Sequence, residues 1–373
     1  MKLLFDKRPK DSSSSRSGGE NHVQQQQTHP WIYRSFVLSP AIDGPFAFAR
    51  TKSPSPFPRY GHSLSASDPS VGELYLFGGQ LRQYARPGND LYIFNIRKSS
   101  AALVRTKGKV PSIRVGSATA TIRKKLVLWG GSRGTLDLDD TLYSFDIVSR
   151  IWSTVPVTGS TPVGRYGHAT CVARETQFLV IGGQVTDGVF LNDLWSVNLA
   201  DVKAEATWQL MQPASKERPN QRAGHVCVFH ENRLIIFGGS DGLCKYNDTW
   251  SFDFETRKWS EWTCDGQVPE PRDGHAAAVV DGIMYIFGGY SIGGEELGDV
   301  FALALSSQIW YSFQNHDMGC PPGERLGHAM VSVGPEIYVL GGRSGSLPLS
   351  IAMESPNYMH VLDTRRLSLE YSD

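Results

Sequence analysis

From residue 60 onward, runs of four or five apolar residues alternate with polar turns at short intervals. Residues 74–77, 126–129, 178–181, 234–237, 283–287 and 337–340 are almost continuously apolar, the pattern of strands buried on both faces. A preceding run, Gly274-His275-Ala276-Ala277-Ala278-Val279-Val280, meets the run at 283–287 through Asp281-Gly282. Asp-Gly between two apolar runs predicts a two-residue hairpin. A third run follows an Asn-Asp or acidic step, at Asn89-Asp90-Leu91-Tyr92, Asp140-Thr141-Leu142-Tyr143, Asn192-Asp193-Leu194-Trp195, Asn247-Asp248-Thr249-Trp250 and Asp299-Val300-Phe301. A fourth is headed by Trp152, Trp208, Trp259 and Trp310. No stretch has the period of an amphipathic helix. Ahead of these units, residues 31–38, from Trp31 to Leu38, are rich in aromatic and β-branched side chains and predict one more strand.

The four-strand unit recurs with a fixed heading, Pro-x-x-Arg-x-Gly-His. Its arginines are Arg59, Arg114, Arg165, Arg222, Arg272 and Arg325, spaced 55, 51, 57, 50 and 53 residues apart, so the chain is an array of similar units. The histidines are His62, His168, His225, His275 and His328, with Ser117 in the second unit. A glycine pair closes each second run, from Gly78-Gly79 to Gly341-Gly342, where the backbone turns with positive φ. A residue tied to one position per unit serves the unit. The arginines are therefore expected to bind the third-strand aspartates, and the histidines neighbouring backbone.

The Arg-x-Gly-His heading, the glycine pair, the Asp-Leu-Trp or Asp-Leu-Tyr step and the later Trp resemble kelch repeats. The resemblance implies an all-β fold, a six-bladed β-propeller with four antiparallel strands per blade. Residues 31–373 are assigned to the propeller and residues 1–30 to a disordered, low-complexity tail with Ser12 to Ser15 and Gln24 to Gln27. The open edge of the last blade needs a fourth strand. Residues 31–38 are favoured for it over 367–371, because Trp31 matches the tryptophans that head the other fourth strands.

Gln221-Arg222-Ala223-Gly224-His225-Val226-Cys227, Tyr246-Asn247-Asp248-Thr249-Trp250-Ser251-Phe252, Trp310-Tyr311-Ser312-Phe313-Gln314-Asn315 and His360-Val361-Leu362-Asp363-Thr364 are similar to the fungal cell-end marker proteins. That implies a scaffold in polarised growth, at the cell cortex or growing tip. Those proteins also carry C-terminal coiled coils, and no heptads occur up to Asp373, so only the propeller's share is carried over.

Charge narrows the partners. Thirty-seven basic and thirty-seven acidic residues cancel, and no basic stripe appears, which argues against nucleic acid and for a protein partner. Five cysteines, Cys171, Cys227, Cys244, Cys264 and Cys320, include no C-x-x-C pair and suit a reducing compartment. Asp6 ends the apolar run of Leu3 to Phe5, and no run approaches the ~20 residues of a membrane span. The expectation is a cytoplasmic protein with no membrane insertion.

Catalytic patterns are weak. Gly130-Gly131-Ser132-Arg133-Gly134 and Gly238-Gly239-Ser240-Asp241-Gly242 match G-x-S-x-G, which works only on a strand-to-helix turn. A galactose-oxidase-like copper site lacks its Tyr, His and Cys cluster. The iron motif of the kelch-like specifier proteins is matched by Glu295 and Asp299, but Leu303 replaces its His. No catalytic residue, metal site or cofactor is assigned. A metal-dependent kelch enzyme is the alternative reading, and a small-GTPase pathway regulator a further one.

In an antiparallel meander the second-to-third loops share one face with the blade-to-blade connections. These loops are long and differ between units, and variable loops on a rigid scaffold carry recognition. The candidate partner-binding residues are Arg82, Tyr84, Arg86, Arg133, Phe190, Tyr290, Glu295 and Arg343, with Leu347 and Leu349 as further apolar groups.

Overall fold

Each apolar second run is a strand with essentially no exposed surface: Leu74, Tyr75, Leu76 and Phe77 are all fully buried, as are their counterparts in the other units. The computed structural model describes residues 29–42, 52–81, 86–134, 137–201, 203–313, 318–319, 321–344 and 358–369. The tail at 1–28, Arg82, Tyr84, Cys320, Leu347, Leu349 and most of the loop between Arg343 and Pro356 lie outside the described residues.

Six antiparallel blades form a closed ring. The fourth blade shows the plan: Val226–His230, Arg233–Phe237, Thr249–Asp253 and Lys258–Trp262 pair in sequence order. The first strands stand innermost, each beside the next, and Ala329–Val333 of the sixth blade adjoins Ser63–Ala66 of the first. First-to-second turns are tight, with positive φ at Glu231 and Asn232 and at Asp281 and Gly282. Connectors add short parallel strands outside several blades, such as Lys107–Gly108 on Ile151–Thr154 and Asp265–Gly266 on Ile309–Ser312.

Among the described residues, the core is divided into six apolar clusters between adjacent blades. Each fourth-strand tryptophan packs into the interface with the preceding blade. Trp152 meets Phe77 at 5.5 Å, Trp208 meets Trp129 at 5.7 Å and Trp310 meets Phe237 at 4.8 Å between ring centroids. Burial of that size stabilises by about 2–3 kcal/mol per ring.

The N-terminal segment serves two blades. Trp31–Ser35 pairs antiparallel with Tyr358–Asp363 as the outer strand of the sixth blade, and Trp31 meets Phe287 at 5.5 Å. Its register partner is Leu362, just as Trp310 faces Leu303 and Trp152 faces Phe145. The continuous strand expected over residues 31–38 is broken at Phe36, and Val37–Leu38 runs parallel to the first blade's fourth strand, Ser100–Val104. The cause is local. Ala101 occupies the tryptophan position of that strand, opposite Phe94, and Phe36 fills the space by packing on Phe94 at 5.2 Å. Residues 367–369 form no strand.

Candidate interaction face

The repeat heading is consumed in building the ring. Every heading arginine is buried and donates Nη1–H to the carbonyl of the first glycine of its own blade, from Arg59 to Gly78 at 2.8 Å through Arg325 to Gly341 at 2.9 Å. Arg59, Arg165, Arg222 and Arg272 grip Asp90, Asp193, Asp248 and Asp299 with both terminal nitrogens, and such forked pairs are the strong ones. In the second blade the acid is Asp139, one residue before the expected Asp140, and the third strand starts only at Tyr143. Burial opposes ionisation of Asp139, yet the Thr141 N–H, Arg114 and Arg133 hold its carboxyl well below the usual range.

The same arginines join neighbouring blades through their carbonyls. The second glycine of each pair donates to the arginine of the following blade, from Gly79 to Arg114 at 2.9 Å around to Gly342 and Arg59 at 2.8 Å. The glycines two residues after the heading arginines form an inner belt: Gly116 donates to Gly61, Gly224 to Gly167, Gly274 to Gly224, Gly327 to Gly274, and Gly61 back to Gly327. Asn89, Asn192 and Asn247 donate their amides to Pro111, Pro219 and Pro269 at the head of the next repeat. Replacing Arg222 by Ala is expected to cost about 3–5 kcal/mol, since Asp248 and the Gly238 carbonyl lose their shared donor. Urea denaturation measures this, and a loss below about 1 kcal/mol would contradict the role.

The histidines act by packing. His168 lies edge-on to Trp129 at 5.1 Å, His275 to Phe237 at 5.5 Å and His328 to Phe287 at 5.3 Å. A Cβ on Gly130 would stand 2.5 Å from the His168 ring, so Gly130, and likewise Gly182, Gly238, Gly288 and Gly341, make room for the next blade's imidazole. Each ring also lies beside backbone, at Leu340 for His62, Arg165 for His168, Ile181 for His225, Phe237 for His275 and Phe287 for His328, an interaction that favours the protonated form but is outweighed by burial. Burial first, then the adjacent arginine, lowers His62, His168 and His225 to about 3, and His275 and His328 well below the ordinary value.

The catalytic look-alikes are also committed. The Ser132 and Ser240 hydroxyls accept the N–H groups of Gly134 and Gly242 in turns that lead to no helix. Asp299 belongs to Arg272. Cys171 and Cys227 pack in the cluster between the third and fourth blades, and burial pushes the Cys227 thiol up. Among the described residues, no group of three or more His, Cys, Asp or Glu is placed to hold a metal ion.

Exposed side chains also occur on the face carrying the second-to-third hairpins, among them Val189, Leu243 and Ile292. There the residue after each heading arginine (Tyr60, Val115, Tyr166, Ala223, Asp273, Leu326) rings the axis and pairs with its own blade's hairpin. Two hairpins are longer than expected: Gln177–Gln184 with Phe190–Asn198, and Ile283–Ser291 with Glu296–Ala304. Phe190 and Tyr290 are thus strand residues and half-buried. Phe190 lies against Gly242 of the next blade, and the Lys245 ammonium sits 4.6 Å from the Tyr290 ring while pairing with Asp273.

Of the other candidates, Arg133 pairs with Asp137 at 3.1 Å and Asp139 at 3.0 Å. Exposed Arg343 lies 3.8 Å from Glu296, and Glu295 is exposed at a hairpin tip. Arg86 lies in a two-residue strand, Arg86–Pro87, beside Gln80–Leu81. Sequence reasoning missed Val189, Lys245, Asp273, Leu243 and Ile292. The first repeat position that varies between Arg and Gly was the available signal for Asp273 and the axial ring.

Six four-stranded blades, an arginine-glycine heading and interleaved tryptophans define a kelch-type β-propeller. The family description "KLHDC2/KLHL20/DRC7 Kelch-repeats domain" matches residues 47–149 and 119–342, and the chain belongs to the kelch-repeat family. It is 33% identical over 316 residues to tip elongation aberrant protein 1 of Schizosaccharomyces pombe, covering 84% of this chain and 26% of that protein. It is 30% identical over 304 residues to kelch repeat-containing protein 2 of Saccharomyces cerevisiae, covering 77% of this chain and 34% of that protein. Kelch domain-containing protein 3 of Bos taurus is 28% identical over 321 residues, 78% of this chain and 81% of its own length. The chain therefore spans well under half the length of either fungal relative.

Proposed function

We propose that this propeller is a non-catalytic scaffold that holds protein partners on its second-to-third hairpin face, in cell polarity or cortical organisation. The observation that carries the reading is the division of labour among side chains. The recurring arginines, aspartates, asparagines and glycines bind one another, whereas the hairpins that differ between blades expose Val189, Leu243 and Ile292. Similarity to a protein named for tip elongation supports the polarity setting, at the cell cortex or growing tip. Balanced charge supports a protein partner over nucleic acid. No helix among the described residues is long and apolar enough to cross a membrane, so recruitment through a partner fits the cortical setting.

Crosslinking in polarised cells, followed by recovery of the tagged chain, tests the reading. The Arg86→Glu, Tyr290→Ala double variant is expected to recover its partners about tenfold less well while remaining folded, with its melting temperature lowered by no more than a few degrees. Unchanged recovery would count against the face. Stoichiometric copper or iron in the purified protein would overturn the non-catalytic reading.

A further inference from the structure

Three neighbouring hairpin tips on this face carry apolar side chains that the fold does not use. Val189 of the third blade is 50% exposed, Leu243 of the fourth 95% and Ile292 of the fifth 69%. Isolated exposed apolar residues are ordinary, but three at the tips of consecutive blades on one face are a set. Tight turns favour Gly, Asn, Asp, Ser and Pro, so turn chemistry does not account for them.

The tips are held rigidly and held together. Asp241 Oδ1 accepts the N–H groups of Leu243 and Cys244, Asp241 Oδ2 accepts the Tyr246 hydroxyl, and Ser240 Oγ accepts the Gly242 N–H. Ser291 exchanges backbone and side-chain bonds with Glu295 beneath Ile292, and Val185 donates to the Val189 carbonyl. Phe190 on Gly242 joins the third blade to the fourth, and Lys245 on Asp273 and Tyr290 joins the fourth to the fifth. The backbone that carries Leu243 is already ordered by these bonds, so binding there costs less loop ordering.

Each tip also has a carboxylate beside it: Asp187 near Val189, Asp241 near Leu243, and Glu295 near Ile292. The one lysine among residues 184–191, 240–246 and 290–297, Lys245, is neutralised by Asp273. The Cys244 N–H, then Tyr246, holds Asp241 below the usual carboxylate range, so its charge persists. Each apolar tip thus carries a carboxylate within three residues of it. An anionic lipid surface would be repelled, whereas a partner with apolar anchors and interleaved cations is complementary.

We propose that blades three to five capture a basic, apolar-anchored segment of a partner protein, with its apolar residues on Val189, Leu243 and Ile292 and its cations on Asp187, Asp241 and Glu295. This rests on the hairpin face being the binding face and names the chemistry of its occupant.

Fluorescence anisotropy with three short labelled peptides tests it: a Leu/Lys amphipathic sequence, its Leu/Glu counterpart and a Ser/Lys sequence. The Leu/Lys peptide is expected to bind at least about tenfold more tightly than either control, and more weakly as salt rises. Val189→Ser, Leu243→Ser, Ile292→Ser together, and separately Asp187→Lys with Glu295→Lys, are each expected to weaken it about tenfold. Because all five positions are exposed tips, unchanged melting temperatures accompany these losses. Equal binding of the Leu/Glu peptide, indifference to both variants, or preferential binding of phosphatidylserine vesicles would overturn the inference. If both tip variants bind the Leu/Lys peptide normally while Arg86→Glu, Tyr290→Ala still loses its cellular partners, this inference fails and the scaffold reading stands.

Discussion

Removal of residues 1–38 is expected to cost at least about 5 kcal/mol, comparable to the whole stability of many domains. The truncation withdraws Trp31 from the interface of blades five and six and Phe36 from that of blades six and one, where each ring is 3% exposed. It also breaks the forked pair of Arg34 with Glu336, at 2.9 and 2.5 Å, and bares the edge of Tyr358–Asp363. Two inner closures remain, Gly342 on Arg59 and Gly61 on Gly327, so the outer closure is tested separately. Differential scanning calorimetry of the truncated chain, with and without a peptide covering residues 29–42, measures the effect. A large drop partly restored by the peptide is expected, and an unchanged melting temperature would refute this closure.

Acid unfolding is expected to be steep and to begin about one unit below pH 6.5. Five imidazoles are neutral in the folded ring, with values lowered to about 3 or well below the ordinary one. In the unfolded chain they titrate near 6.5, so below that pH the unfolded state binds more protons and gains stability as pH falls. Their contribution is complete above about 6.5 and is lost progressively toward the folded values. Each site then costs about 1.4 kcal/mol per pH unit, and five together roughly 7, enough to exhaust an ordinary stability within one or two units. Asp139 and Asp253, held below the carboxylate range, add a loss of the same sign at lower pH. Calorimetry from pH 7.5 to 5, with potentiometric proton uptake, checks this against a flat profile.

The blades were legible because local chemistry and global fold agree: an apolar run, a glycine pair and a tryptophan each mark one strand event. Features that depend on a neighbouring blade were not. The break at Phe36 answers Ala101, a small residue more than sixty positions away, where the other outer strands carry tryptophan. Asp139 and Asp140 are chemically alike, and only the reach of the buried Arg114 selects between them. The histidines read as backbone-bonding groups, and what the sequence does not show is that a glycine of the preceding blade makes room for each ring. Phe190 and Tyr290 read as exposed loop residues, but packing between hairpins half-buries them, whereas Leu243, just after the Gly238–Gly242 motif, is almost fully exposed.

The central claim, that the ring is architecture and the second-to-third hairpins recognise the partner, is tested most directly by hydrogen exchange on the chain with its recovered partner bound. The account predicts protection at residues 184–191, 240–246 and 290–297, with the opposite turns at 231–232 and 281–282 unchanged. Protection confined to those opposite turns, with the hairpins exchanging as in the free chain, would contradict it.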